Sequence, residues 1–270
     1  MPHPMGGCWA KLERAKSTVA ELEKSITDYL KPGSPHFTIT SGHFNQFTEF
    51  GYTVAGKPLP LSFAVMAGEV LHHLRSALDY ALWALASQKI EPGRDLQFPL
   101  CDNPSDFQEK LRRKSFKGIS EQGRALIEQL QPYNSQPDPH LSTFKALSEY
   151  NNIDKHRLLL VVSAAAQIGN TIKLGDDGKA TGPTVIKGFG PPDEVMVTEE
   201  GTRVFTIYFD GPHPHANAQM EIKLKAYFAP VPHILPKVEF ISGLQLLCAN
   251  VEDALKRLQA LFDREFPPMG

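Results

Sequence analysis

Two short stretches hold most of the side chains that could do chemistry. In 68-GEVLHHLRSALDYALWAL-85, Glu69, His72, His73, Arg75 and Asp79 crowd the first turns of an otherwise apolar segment. In 150-YNNIDKHRLLL-160, Asn151, Asn152, Asp154, Lys155, His156 and Arg157 gather behind an apolar run. Such groups suit a buried or cleft-lining polar site, in which they bind something polar or satisfy one another. The set needs two helices that bring the stretches together.

The first stretch reads as a helix over roughly 62–88. On it Glu69, His72, Ser76 and Asp79 share one stripe, and Leu71, Leu74, Leu78, Leu82 and Leu85 form the neighbouring apolar one. Arg75 lies between the two. A third helix after the loop region spans about 140–156, where Phe144, Leu147, Asn151, Asp154 and Leu158 continue an apolar stripe through an Asn and an Asp. An unpaired buried polar group costs ~1–3 kcal/mol, so such a stripe asks for a partner. Two helices of this kind would satisfy one another or bind something polar. Either way, His72, Arg75 or Asp79 should come within hydrogen-bonding reach of residues 151–157. The bland alternatives are a solvated helix edge and a simple i, i+4 pair of Arg75 with Asp79.

Metal and covalent chemistry find less support. Glu69-x-x-His72 has the spacing of half a di-iron carboxylate site, but the second Glu-x-x-His is missing. A mononuclear site from His72, His156 and a carboxylate such as Asp154 stays open, although no metal or cofactor is expected. There is no GxSxG elbow, no GxGxxG and no GxxxxGK[ST] loop.

The surrounding elements follow from periodicity. Leu12, Ala15, Val19, Leu22, Ile26 and Tyr29 make one narrow stripe between Trp9 and Leu30, and Lys31-Pro32-Gly33 ends it. The stretch 36–56, rich in Phe, Thr, Tyr and Val, suggests two short strands. Asn103 before Pro104 is a candidate N-cap for a short helix over 104–113, and another covers 119–131. From 195 to 229 the period is two, as in 218-AQMEIKLKAYFA-229, which suggests an antiparallel meander. Turns are expected at 175–184 and 211–218. The C-terminus returns to helix with Ile241, Leu244, Leu247, Val251, Leu255, Leu258 and Phe262 on one face. The expected fold class is α+β, a bundle of long helices with an associated antiparallel sheet. One intertwined unit over 1–270 is expected, its bundle mainly in 8–30, 62–157 and 240–266, with strand-rich parts at 36–56 and 158–230.

Composition narrows the partners. The 270 residues are 41% hydrophobic and 21% charged, ordinary values for a globular protein. Lys and Arg number 28 against 30 Asp and Glu, a net charge of −2, so the overall basicity of an extended nucleic-acid binder is absent. Cys8, Cys101 and Cys248 form no CxxC, which suits a reducing cytoplasm. The most apolar run, 158-LLLVVSAAAQIG-169, falls short of the ~20 residues that span a bilayer, so no membrane is expected.

Taken in order, WAKLERAK, LHHLRSALDYALW, a central FPL and NNIDKHRLLL resemble an uncharacterised family of bacterial proteins, over about the first two-thirds of the chain. There the central motif reads like LRSALDH, similar to the Arg-x4-6-His signature of HEPN-type helical domains. That group includes metal-independent ribonucleases and inactive nucleotide- or RNA-binding relatives. Carried over, Arg75 matches the arginine and Tyr80 stands where the histidine belongs. With a reference pKa of ~10, tyrosine is a poor general base near pH 7. The resemblance implies RNA, a nucleotide or another small phosphorylated ligand as partner, and a homodimer that shares the motif across its interface. Arg75, Asp79, His72 and His156 would be the catalytic set, with Tyr80, Asn151, Asn152, Asp154, Lys155 and Arg157 at the ligand. The competing expectations are a small-molecule or metal-dependent hydrolase using His72, His156 and Asp154, and a non-catalytic interaction protein whose polar residues form a buried network.

Overall fold

In the computed structural model, residues 3–31, 33–91, 96–135, 142–156, 161–176, 186–190, 195–228 and 239–267 are described. Among the described residues six α-helices and seven strands make an α+β fold. Where one intertwined unit is expected, the chain divides into two compact units that alternate along the sequence: 1–23, 61–160 and 229–270, and 24–60 with 161–228.

The first unit is helical. Its frame is α1 (Gly6–Leu30) as far as Glu23, α2 (Leu61–Ser87), α5 (Thr143–His156) and α6 (Phe240–Glu265). The stripe Leu12, Ala15, Val19 and Leu22 is buried along α1, as are Leu244, Leu247, Val251, Leu255, Leu258 and Phe262 along α6. Three polar rungs fix the register of this antiparallel pair. The Trp9 indole N–H donates to the Gln259 carbonyl oxygen, Lys16 closes on Glu252 at 2.8 Å, and the Gln245 amide donates to Glu23 at 3.2 Å. Each rung lies seven residues further along α1 and seven back along α6, the repeat of a coiled pair. Helix α2 packs on both α5 and α6, and all five of its stripe leucines are buried.

Two shorter helices complete this unit. Helix α3 (Pro104–Leu111) starts as expected, with the Asn103 side chain accepting the Asp106 N–H at 2.9 Å. Helix α4 (Glu121–Gln129) is capped by Ser120, which accepts the Gly123 N–H at 2.9 Å. A 3-10 turn at Pro132–Asn134 follows it.

The second unit holds two antiparallel sheets. Strands β1 (Phe37–Phe44), β2 (Glu49–Gly56), β6 (Thr202–Phe209) and β4 (Ile186–Gly190) form the first in the order β1-β2-β6-β4. Strands β5 (Val195–Met196), β3 (Val161–Asp176) and β7 (Ala216–Phe228) form the second in the order β5-β3-β7. The two short strands expected in 36–56 are present, and they pair antiparallel as a hairpin. Its turn places Asn45, Gln46 and Phe47 at φ of 45°, 54° and 67°, a left-handed run without glycine.

The expected meander over 195–229 is not what forms. β6 pairs with β2 and β4, while β7 pairs with β3, so consecutive strands lie in different sheets. Alternating strands bury one face against any suitable neighbour, and period two does not say which. Val54, Val197, Val204 and Ile222, drawn from both sheets, meet in one small core against Phe37, Tyr52 and Leu224. Most of the turn expected at 175–184 lies outside the described residues.

Candidate functional site

The segment 96–101 runs between α2 and α3 without belonging to any strand, yet Leu96, Phe98 and Cys101 are buried. Its backbone N–H and C=O groups therefore need side-chain partners. Arg75 and Asp79 supply two of them. The Asp79 carboxylate accepts the Phe98 N–H at 2.7 Å, and the Arg75 guanidinium donates to the Phe98 carbonyl. The two side chains face each other at 3.5 Å and are only 15% and 26% exposed. From the other side Gln131, 1% exposed, accepts the Cys101 N–H at 3.0 Å and donates to the Pro99 carbonyl at 3.0 Å. The same Gln131 amide reaches the Ile127 carbonyl at 2.9 Å. The central FPL of the sequence is thus a backbone latch closed by three side chains.

Burial dominates the electrostatics of this latch. It raises the Asp79 carboxyl above its ordinary value, against the pull of Arg75, the Phe98 N–H, Lys155 and His72. It likewise lowers the Arg75 guanidinium, which Asp79 counters.

The predicted constellation comes together only in part. Asp154 on α5 packs its carboxylate against Gly68 of α2, where a Cβ would sit 2.4 Å from Oδ1. That approach is open only to glycine. Burial raises Asp154, and His72 opposes the rise. Lys155 bears on Asp79, so the polar ends of α2 and α5 share one field. Among the described residues, however, no hydrogen bond joins Glu69, His72, Arg75 or Asp79 to 151–156. The expected contact of hydrogen-bonding range is replaced by helix packing, with the bonds of Arg75 and Asp79 turned to Phe98.

The remaining residues fall on several surfaces. Asn151 is buried at 4% exposure, while Asn152, Lys155 and His156 are exposed. Glu69 and His72 are exposed as well, with Ser76 Oγ 3.5 Å from His72 Nε2. Arg157 lies outside the described residues. His73 turns toward α1, where burial lowers its pKa and Lys11, His72 and Arg14 lower it further. Five positions of helix rotate by about 140° beyond a full turn, so Tyr80 points away from the Arg75 latch. It lies instead under the Lys11 ammonium, 5.7 Å from the ring centroid, and against Gly7. Arg75 and Tyr80 do not share a site. Among the described residues no group of three His, Cys, Asp or Glu is placed to hold a metal ion.

Sequence reasoning missed Gln131 and the Phe98 backbone. One signal was available: an apolar run interrupted by Pro99 cannot donate a full strand ladder, so its backbone must be served by side chains.

The fold and the latch define an α+β protein whose helical unit holds a largely buried extended segment by side-chain hydrogen bonds. Comparison with protein-family models, with curated proteins and with solved structures finds no match. No described helix is long and apolar enough to cross a membrane.

Proposed function

We propose that this chain is a non-catalytic binding protein on a HEPN-like helical frame, in which Arg75 and Asp79 serve as a structural latch. The observation that carries this reading is the engagement of Arg75. Its guanidinium is spent on Asp79 and the Phe98 carbonyl in a mostly buried position, and Tyr80 faces another helix. A phosphate ligand would have to displace both partners of Arg75. The test is Arg75→Ala, followed by thermal unfolding and by cleavage and binding of single-stranded RNA. A large fall in melting temperature, with no RNA cleavage by the unaltered protein, supports the latch. A stable variant that has lost RNA binding or cleavage refutes it.

A second reading, RNA or nucleotide binding, rests on a different set. His72 and Lys155 are exposed, and both bear electrostatically on Asp79. Together with His156 and Asn152 they offer cationic and polar groups to a small phosphorylated ligand. Lys155→Ala would then lose nucleotide affinity without a change in melting temperature. The homodimer belongs to this proposal too; Trp83, 52% exposed on α2, is the side chain whose fluorescence would report its formation.

A further inference from the structure

The latched segment forms one wall of a second polar site. Beyond Phe98 the chain continues through Leu100, Cys101 and Asp102, which line a pocket of about 240 Å³ with α3 and α5. Asp106, Glu109, Lys110 and Arg113 line it from α3 and the residues just after it, and Ser148 and Glu149 line it from α5. Cys101 is buried, Lys110, Ser148 and Glu149 are half-buried, and Asp102, Asp106, Glu109 and Arg113 are exposed. Asp102 already has an ion-pair partner in Lys145 at 3.3 Å. Among the described residues, Lys110, Arg113 and Glu149 form no ion pair. Charges of both signs thus line one concavity without closing on each other. The volume is smaller than the ~300–1,000 Å³ that takes drug-sized molecules, which limits the occupant to a compact one.

We propose that this pocket binds a small dipolar molecule carrying both an ammonium and a carboxylate, the chemistry of a free amino acid. Glu149 and the Ser148 hydroxyl receive the ammonium, and Lys110 with Arg113 receives the carboxylate. The Cys101–Leu100 wall packs against the ligand's carbon skeleton. Gln131 and the Arg75–Asp79 pair hold that wall in place before the ligand arrives, so little ordering cost is left to binding. The site is separate from the His72–Lys155 edge and stands or falls without nucleotide binding there.

The test is calorimetric titration of the full chain with a panel of free amino acids. Amines and carboxylates of similar size serve as single-charge controls. At least one amino acid should bind, and hydrogen exchange should slow at 100–102 and 148–149. Glu149→Gln and Lys110→Gln should each weaken that binding by about tenfold or more, the usual effect of losing one charge-assisted contact. Two variants on different helices keep the test valid if one fails to fold. Binding of the simple amines or carboxylates as tightly as the amino acid overturns the dipolar assignment. Absence of binding by the whole panel, or exchange protection elsewhere, overturns the site.

Discussion

Replacing Arg75 by alanine removes more than one interaction. The Phe98 carbonyl loses its donor and the Asp79 carboxylate loses its counter-charge while both remain largely out of water. A hydrogen bond to a charged group is worth ~1.5–3 kcal/mol, and stranding a fully buried charge costs ~3–5 kcal/mol. Since Asp79 is 26% exposed, water can reach part of it, and a total near 3 kcal/mol is reasonable for a partly buried pair. For a unit of this size each kcal/mol shifts melting by ~2–4 °C, so the helical unit should melt about 6–12 °C lower. Protonation relieves the stranded charge. Asp79 already has a folded pKa raised above the 3.8 of the free side chain, and the variant raises it further. The unfolded chain therefore releases the proton first as pH rises in both proteins, and the deficit of the variant relative to the original grows from the original's raised folded value to the variant's still higher one before levelling off. Arg75→Ala should consequently look mildest in acid. Adding Asp79→Asn, which removes the charge and can still accept the Phe98 N–H, should recover part of the loss at pH 7. Calorimetry of the two variants across pH 4–8 measures all of this. An Arg75→Ala protein that melts within a degree of the original, at every pH, would refute the latch.

Gln131→Ala should destabilise the helical unit by ~2–4 kcal/mol in urea unfolding, because it orphans the Cys101 N–H and the Pro99 carbonyl together. Gly68→Ala should cost ~1–3 kcal/mol, as a Cβ there would lie 2.4 Å from Asp154 Oδ1; Asp154→Ala in the same chain should restore most of it, and an additive pair of losses would contradict the contact. Glu252 is held down to about 2 by Lys16 and Lys256, so its carboxyl should titrate near there by NMR and move back toward 4.5 in Lys16→Met. Its contribution to stability is present above 4.5 and fades as pH falls toward 2. Burial pushes the Cys8 and Cys248 thiols up to about 11, so in the native protein both should resist alkylation at pH 8 and react once it is unfolded.

The helices could be read from the chain because their determinants are local. The stripes Leu12–Ala15–Val19–Leu22 and Leu244–Leu247–Val251–Leu255 repeat with the helix itself, and each is buried along its whole length. Asn103 before Pro104 caps α3 with its own side chain three residues on. The i, i+4 placement of Arg75 and Asp79 was likewise visible as a pair. What the pair holds was not: Phe98 lies 23 residues from Arg75, and Gln131 meets Cys101 across 30. An extended, unpaired backbone carries no periodic mark of which side chains will serve it, since that depends on how α2 and α4 approach it in space. The same limit applied to the sheets. The alternation in β6 and β7 shows that each strand has an inner and an outer face. It cannot choose between β2 and β3 as a neighbour, because backbone hydrogen bonding is the same for either, and only the packing of Val54, Val204 and Ile222 into one core decides it.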